Sequence, residues 1–216
     1  MALTSKPNRR WTDTFDSPAG DPHLTRHGLH YRLGGAQGCF AIAEAVLTPV
    51  GGPARYLVGA WYHTAEFADM GNRGPAHSGN YGAYASVERT LRGKSGAAGY
   101  VTGHLRAGFA PADRNAIAWA VDAAVSATGL IPGRAADVTT LGFVHAALGQ
   151  PFSAAAAAAD PTSPAPDFEE AAELSHNLVF SERFSLQPDL QYIRHPGGSP
   201  SLPDATVLLL RAKLAF

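Results

Sequence analysis

The last eleven residues of the chain, TVLLLRAKLAF (206–216), decide which secondary structure its apolar segments form. Read with the two-residue period of a β-strand, the two charges at Arg211 and Lys213 fall on the same side. One side then carries Thr206, Leu208, Leu210, Ala212, Leu214 and Phe216, and the other carries Val207, Leu209, Arg211, Lys213 and Ala215. An amphipathic helix remains the alternative for this segment alone, because the run 207–210 also suits one.

The composition narrows the class of protein. Hydrophobic residues make up 45% of the 216 residues and charged residues 16%, below the roughly 25% charged residues of a typical soluble domain. The net charge of −1 provides no basic surface, so nucleic acid is not an expected partner. The mean hydropathy is −0.08, and no apolar run reaches the roughly 18 residues of a transmembrane helix. A transmembrane β-barrel remains open, because its strands alternate lipid-facing and water-facing residues.

The beginning of the chain contains no recognisable functional motif. MALTSKPNRRWTD (1–13) lacks the apolar core of a signal peptide, so for an exported protein we expect the leader to be absent from this sequence. His23, His27 and His30 have helical spacing, but Pro22 and Gly28 interrupt them and no carboxylate or thiol partner is suitably spaced, so no metal site is expected. Residues 1–37 are interpreted as an irregular N-terminal segment, and 38–216 as the folded part.

No set of residues supports an enzymatic activity. The sequence lacks a G-x-S-x-G elbow and a P-loop, and GGAQG (34–38) precedes a predicted strand instead of a helix. Neither catalytic residues nor a cofactor are therefore predicted. The single Cys39 excludes an internal disulfide.

Glycine and proline punctuate the chain at intervals of about ten residues, which is typical of strands joined by turns. Nine strands are predicted, each long for a soluble protein, whose strands have about five or six residues, and suited to a tilted transmembrane strand of about nine to eleven. Their predicted bounds are 38–47, 54–63, 80–90, 98–109, 116–127, 137–148, 170–180, 184–194 and 204–216.

The faces of these strands support a membrane interpretation. In 184–194 the apolar side begins with Phe184 and ends with Tyr192, and in 54–63 Tyr56 and Tyr62 occupy the same positions. Aromatic residues at both ends of an apolar middle suit the two membrane interfaces. A soluble β-sandwich binding module is the alternative, in which the apolar faces would form a core.

Strand direction predicts which connections share an end of the sheet. If the chain ends in the periplasm, turns at 48–53, 91–97, 128–136 and 181–183 are periplasmic, and loops at 64–79, 110–115, 149–169 and 195–203 lie outside. The alanine run SAAAAAAD (153–160) continues into proline-rich sequence, which favours a flexible loop over a helical turn.

Several blocks of sequence resemble one family. SLQPDLQYIRHPGG (185–198), following EEAAELSHNLVFSERF (169–184), resembles the penultimate hairpin of the carbohydrate-selective outer-membrane porins, the OprB family. GAWYHTAEFAD (59–69), GNYGAYASVERTL (79–91) and AGFAPADRNAIAWAVDAAVSATGLIPGRAADVTTLGFVHAAL (107–148) also resemble it. The similarity extends over about 38–216, in order, to the terminal Phe216.

The resemblance implies an all-β fold, an antiparallel transmembrane β-barrel of sixteen strands in the bacterial outer membrane, through which monosaccharides and related small solutes diffuse. About nine of those strands are predicted here, which suggests a fragment: a partial, open curved sheet whose edges at 38–47 and 204–216 are unpaired. The alternatives are a soluble sandwich and a structural outer-membrane barrel without sugar selectivity. The expected partners are small carbohydrates, outer-membrane lipid, the barrel-assembly machinery and further copies in a homo-oligomer. The resemblance implies that the assembly machinery recognises Phe216.

The alternation assigns side chains to the two faces of the sheet. Candidates for lining the pore are Glu44, Trp61, Tyr84, Glu88, His104, Arg106, Asp122, Glu173, Gln187, Asp189, Arg211 and Lys213. Each charge among them could instead pair across strands and hold the wall. Candidates for facing lipid are Tyr56, Tyr62, Leu105, Phe109, Trp119, Phe184, Leu190, Tyr192, Leu208, Leu210 and Leu214.

Overall fold

The computed structural model describes residues 38–216, and this part of the chain forms nine strands, one α-helix and a short 3-10 helix at Pro196–Gly198. The segment 1–37, with its three histidines, lies outside the described residues. The strands are β1 (Phe40–Leu47), β2 (Ala54–Phe67), β3 (His77–Arg92), β4 (Val101–Phe109), β5 (Ile117–Thr128), β6 (Val138–Leu148), β7 (Phe168–Ser181), β8 (Phe184–Arg194) and β9 (Ala205–Leu214).

The nine strands form a single antiparallel sheet in the order of the sequence, from β1 to β9. Within the described residues β1 and β9 do not pair with each other, so the sheet is open. The predicted all-β fold and the unpaired edges at β1 and β9 are confirmed. The hairpin of β2 and β3 is longer than predicted, because residues 64–67 and 77–79 continue the pairing past a bulge between His63 and Glu66.

The sheet has almost no hydrophobic core. Among the described residues only two apolar side chains are buried, Ala54 and Ala127. Large apolar side chains on the strands are instead exposed, mainly on one face, as at Leu208, which is 79% exposed. A soluble sandwich buries such a face against a second sheet, and the described residues contain one sheet only. The sandwich alternative is therefore wrong for this part of the chain.

The alanine run forms a helix, which corrects the prediction of a flexible loop. Helix α1 spans Gln150–Ala159, with Gly149 as its N-cap and Pro151 in its first turn, where a proline needs no amide donor. Its C-cap is Asp160, so Pro161 and Pro164 follow the helix and do not interrupt it. Within residues 38–216, no helix combines the length and the apolar character that a membrane crossing requires.

The connections at one end of the sheet are joined to one another. We call this the loop end; it contains the segments 68–76, 110–116, 149–167 and 195–204. The Met70 amide donates to the Asp113 carbonyl over 2.7 Å, and the Asp167 amide donates to the Gly198 carbonyl over 2.9 Å. The side-chain amides of Asn80 and Asn115 bond each other reciprocally. The Gly149 amide donates to the Ala116 carbonyl over 2.7 Å and links the second loop to the third. Hydrogen bonds therefore connect all four loops.

A carboxylate cluster holds the first two of these loops together. The Arg73 amide donates to Asp69 over 3.0 Å, and the His77 ring lies 3.0 Å from the same carboxylate. These contacts, the Arg73 amide above all, hold the pKa of Asp69 below its ordinary value. The bond from the Arg114 guanidinium likewise lowers the pKa of Asp113, which lies 3.7 Å from the His77 ring.

Acid is expected to loosen this cluster. A carboxylate whose pKa is lower in the folded state stabilises that state above its unfolded pKa, about 4, and the contribution disappears as the pH falls through the folded pKa. Amide hydrogen exchange in 68–76 should therefore stay slow from neutral pH to about 4 and accelerate below it, after correction for intrinsic exchange. Asp69→Asn should show faster exchange already at neutral pH.

Asp160→Asn is the matched control, because Asp160 bonds Thr162 and Ser163 in a different loop. It should leave exchange in 68–76 unchanged. Equal protection of 68–76 in wild type and Asp69→Asn at neutral pH would show that the cluster does not hold the loop.

Candidate functional site

Strand register assigns side chains to the two faces of the sheet, because directly paired residues lie on the same face and successive residues alternate. Glu44 pairs with Gly59, and Gly59 pairs with Tyr84. By the same rule, further pairs lie on this face of the sheet: Trp61↔Gly82, Glu88↔His104, Arg106↔Asp122, Glu173↔Gln191, Ser175↔Asp189, Gln187↔Arg211 and Ser185↔Lys213. All twelve pore-lining candidates lie on this side, which we call the polar face.

The eleven lipid-facing candidates all lie on the opposite side, the apolar face. Direct pairs such as Phe109↔Trp119 and Leu190↔Leu208 connect them across neighbouring strands. Ten of the eleven are exposed, and Phe184 is half-buried. The register thus separates the two sets completely, although it does not by itself identify what either face contacts.

Aromatic residues occupy both ends of the apolar face. Near the loop end Tyr62 pairs directly with Tyr81, and Phe109 with Trp119. At the opposite end the rings of Phe180 and Phe184 stack, with centroids 5.4 Å apart. Between the two rows lie mainly Val, Leu and Ala side chains.

On the polar face, a tyrosine from β3 reaches across β2 to a carboxylate on β1. The Tyr84 hydroxyl donates to Glu44 over 2.5 Å. Its ring lies over Gly59 of the intervening strand, where an added Cβ would come within 2.6 Å of the hydroxyl oxygen. A glycine at this position is therefore what lets the ring cross.

Charged side chains pair in the middle of the polar face. The Arg106 guanidinium donates to Asp122 over 2.7 Å, and the His104 ring lies 3.5 Å from the other oxygen of the same carboxylate. These contacts join β4 to β5. These charges therefore pair across strands, which is the alternative to lining the pore. Arg106 nevertheless stays at the surface, since its side chain is 59% exposed.

A second group of polar side chains joins β7, β8 and β9. Asp189 has no exposed side-chain surface; it accepts a bond from the Gln187 amide over 2.9 Å and lies 3.0 Å from Nε of Arg211. Gln191 donates to Glu173 over 2.6 Å. Arg211 thus has an ion-pair partner in Asp189, whereas Lys213 has none among residues 38–216.

Sequence reasoning missed two polar groups. On the apolar face near the loop end, Glu170 lies 2.9 Å from the His145 ring and 3.3 Å from the Arg194 guanidinium. At the opposite end, Asp137 is buried, accepts two bonds from Arg134 and accepts the amide of Val179. The Arg134 bond lowers the pKa of Asp137 most. Only the spacing of Arg134 and Asp137, three residues apart, could have signalled a pair.

No group of three or more metal-ligating side chains occurs within 38–216. The arrangement offers instead one surface that carries carboxylates, guanidinium groups, amides and rings, opposite a second surface that is mainly apolar. Long strands, two unlike faces and aromatic rows at both ends define the wall of a transmembrane β-barrel.

The sequence model of the carbohydrate-selective porin OprB family matches residues 7–216, which is nearly the whole chain. The chain therefore belongs to the carbohydrate-selective porins of the OprB family, which are outer-membrane channels and not enzymes. The match begins at residue 7, ahead of the similar sequence blocks, which begin at about residue 38.

The structure of OprB from Pseudomonas putida, solved at high pH, is similar with a TM-score of 0.74 and 19% sequence identity. The similarity covers 83% of this chain and 49% of that one, so the chain spans about half of the length of that structure. At this identity the likeness shows the fold. No curated protein sequence is significantly similar to the chain.

Proposed function

We propose that the nine strands form one side of the wall of an outer-membrane channel through which monosaccharides and related small neutral solutes diffuse. In this arrangement the polar face borders water in the pore and the apolar face contacts lipid. The chain spans about half of the similar structure, so a closed channel needs further strands beside β1 and β9.

The observation that carries this proposal is the exposure of the apolar face. A sheet with two buried apolar residues in its described part cannot be stabilised in water by a core, because burial of apolar area is the main favourable term in folding. Hydrocarbon around the apolar face supplies the missing environment. The aromatic rows at its two ends then lie at the two membrane interfaces.

The chemistry of the polar face supports a neutral solute. Carboxylates at Glu44 and Glu173 alternate with cations at Arg106 and Arg211, so neither sign dominates the surface. A ring of one sign selects ions, whereas a mixed set of donors and acceptors exchanges hydrogen bonds with hydroxyl groups. The paired charges connect neighbouring strands of the wall and also line the pore.

Three partners follow from the proposal. Outer-membrane lipid covers the apolar face, and the barrel-assembly machinery reads the fully exposed terminal Phe216. The edges at β1 and β9 present unpaired backbone groups, which favour pairing with another strand. Pairing between copies would give a homo-oligomer, and a concentration-dependent mass in detergent micelles would reveal it.

Liposome swelling tests the function. Liposomes containing the chain, in which paired copies supply the further strands, should swell in glucose faster than protein-free liposomes. They should also swell faster in glucose than in gluconate or glucosamine of nearly equal size at matched osmolarity. Equal rates for the three solutes would indicate a barrel without sugar selectivity. Rates equal to those of protein-free liposomes would overturn the channel for this chain.

A further inference from the structure

A glycine, an alanine and an aromatic residue follow one another on two neighbouring strands and produce a symmetric arrangement of rings on the polar face. Strand β2 contains Gly59-Ala60-Trp61 and β3 contains Gly82-Ala83-Tyr84. Because the strands are antiparallel, the register places Trp61 directly opposite Gly82 and Tyr84 directly opposite Gly59. Each aromatic residue therefore has a glycine as its cross-strand partner.

The glycines allow both rings to lie against the sheet. A Cβ at Gly82 would approach Nε1 of Trp61 to 2.5 Å, and a Cβ at Gly59 would collide with the outer atoms of the Tyr84 ring. Each ring thus covers the backbone of the neighbouring strand and does not project from its own. Both residues are half-buried, so part of each ring stays open to the polar side.

Neighbouring side chains fix the two rings. The Phe40 ring lies beside Trp61, with centroids 6.0 Å apart. The bond from the Tyr84 hydroxyl to Oε1 of Glu44 holds the second ring. No hydrogen bond within the described residues uses the other oxygen of Glu44, Oε2, which remains available as an acceptor beside the rings.

We propose that Trp61 and Tyr84 form a stacking site for one hexose ring in transit, with Glu44 accepting a hydrogen bond from a sugar hydroxyl. The C–H groups on the face of a pyranose are weakly positive and match the negative face of an aromatic ring. Trp61 and Tyr84 lie diagonally across the β2–β3 pair, and diagonal neighbours are separated by about 7–8 Å, close to the width of a hexose. The proposal rests on the channel function and specifies where on the wall the sugar binds.

Saturation-transfer NMR tests the site, with the whole chain in detergent micelles and methyl β-D-glucopyranoside as the probe. Wild type should transfer saturation to the sugar C–H protons. Trp61→Leu and Tyr84→Leu should each weaken binding about threefold to tenfold, which is the effect of one aromatic contact. Gly59→Val keeps every aromatic residue but displaces the Tyr84 ring, so it should weaken binding as much as Tyr84→Leu.

Trp119→Leu is the matched control, because it removes an indole from the apolar face; it should bind the probe as wild type does. Heat-dependent gel mobility identifies variants that fail to fold, and Tyr84→Phe, which keeps the ring and removes the bond to Glu44, provides a milder variant. It should weaken binding less than Tyr84→Leu.

Two results would overturn the stacking site: wild type that transfers no saturation, or folded Trp61→Leu and Tyr84→Leu proteins that both bind as wild type does. The swelling assay separates this from the channel function. If wild-type liposomes swell in glucose and the variants bind the probe as wild type does, the channel function is supported and the stacking site is contradicted. If the variants lose binding and wild-type liposomes do not swell, the stacking site is supported and the channel function is contradicted.

Discussion

Phe143→Arg is expected to destabilise the folded, membrane-inserted protein by about 2–4 kcal/mol, the cost of an arginine on the lipid side of a barrel strand near the bilayer midplane. Phe143 lies in the middle of β6, on the apolar face, between Ala123 and Ala172 of the neighbouring strands. Urea titration of the protein folded into phospholipid vesicles measures the change in the free energy of unfolding.

The adjacent residue provides a matched control. Val144 points to the polar face, where it pairs with Asp122. Phe143 and Val144 are exposed to similar extents, 45% and 37%, so a protein surrounded by water on both faces would tolerate arginine equally at the two positions. In the porin wall Val144→Arg should cost less than about 1 kcal/mol, because the new cation meets water and a carboxylate. Equal costs at the two positions would contradict the assignment of the faces.

Arg211→Gln is expected to destabilise the protein by about 1–3 kcal/mol, because it leaves a buried carboxylate without its cation. Asp189 has no exposed side-chain surface, and its remaining side-chain partner is the Gln187 amide. The half-exposed position of Arg211 keeps the cost below that of a fully buried pair. The measurement is the same urea titration in vesicles.

Lys213→Gln removes a cation from the same face of the same strand. Since no ion pair of Lys213 occurs in the described part of the chain, the free energy of unfolding should change by less than about 0.5 kcal/mol. The double variant Asp189→Asn with Arg211→Gln should be more stable than the sum of the single effects predicts, because the two residues interact. Additive effects would show that the 3.0 Å contact contributes nothing.

The sequence alone determines the faces of the strands, because the side-chain period of a strand is two and needs no knowledge of partners. Once TVLLLRAKLAF is taken as a strand, Leu208 and Arg211 must lie on opposite faces, and the structure has them so. The nine strands were also predictable, since glycine and proline mark their ends. The bounds of β2 and β3 were not, because the two strands continue to pair beyond a bulge between His63 and Glu66.

The contacts on the polar face could not be predicted, because they depend on register. Tyr84 and Glu44 are separated by 40 positions, and nothing in either strand specifies that Gly59 comes between them. Helix α1 was missed for a different reason. The prediction of a flexible loop rests on the proline-rich sequence after the alanine run, whereas those prolines follow the end of the helix and Pro151 lies in its first turn.

Quenching of two native tryptophans tests most directly which face touches hydrocarbon. The chain contains Trp11, Trp61 and Trp119, so two variants can each retain one indole, Trp61 on the polar face or Trp119 on the apolar face, with the others replaced by phenylalanine. In vesicles of brominated phospholipid, the Trp119 protein should be strongly quenched by the lipid and the Trp61 protein by aqueous acrylamide. If brominated lipid quenched both indoles equally, or quenched neither, the assignment of the apolar face to lipid and the polar face to water would be contradicted.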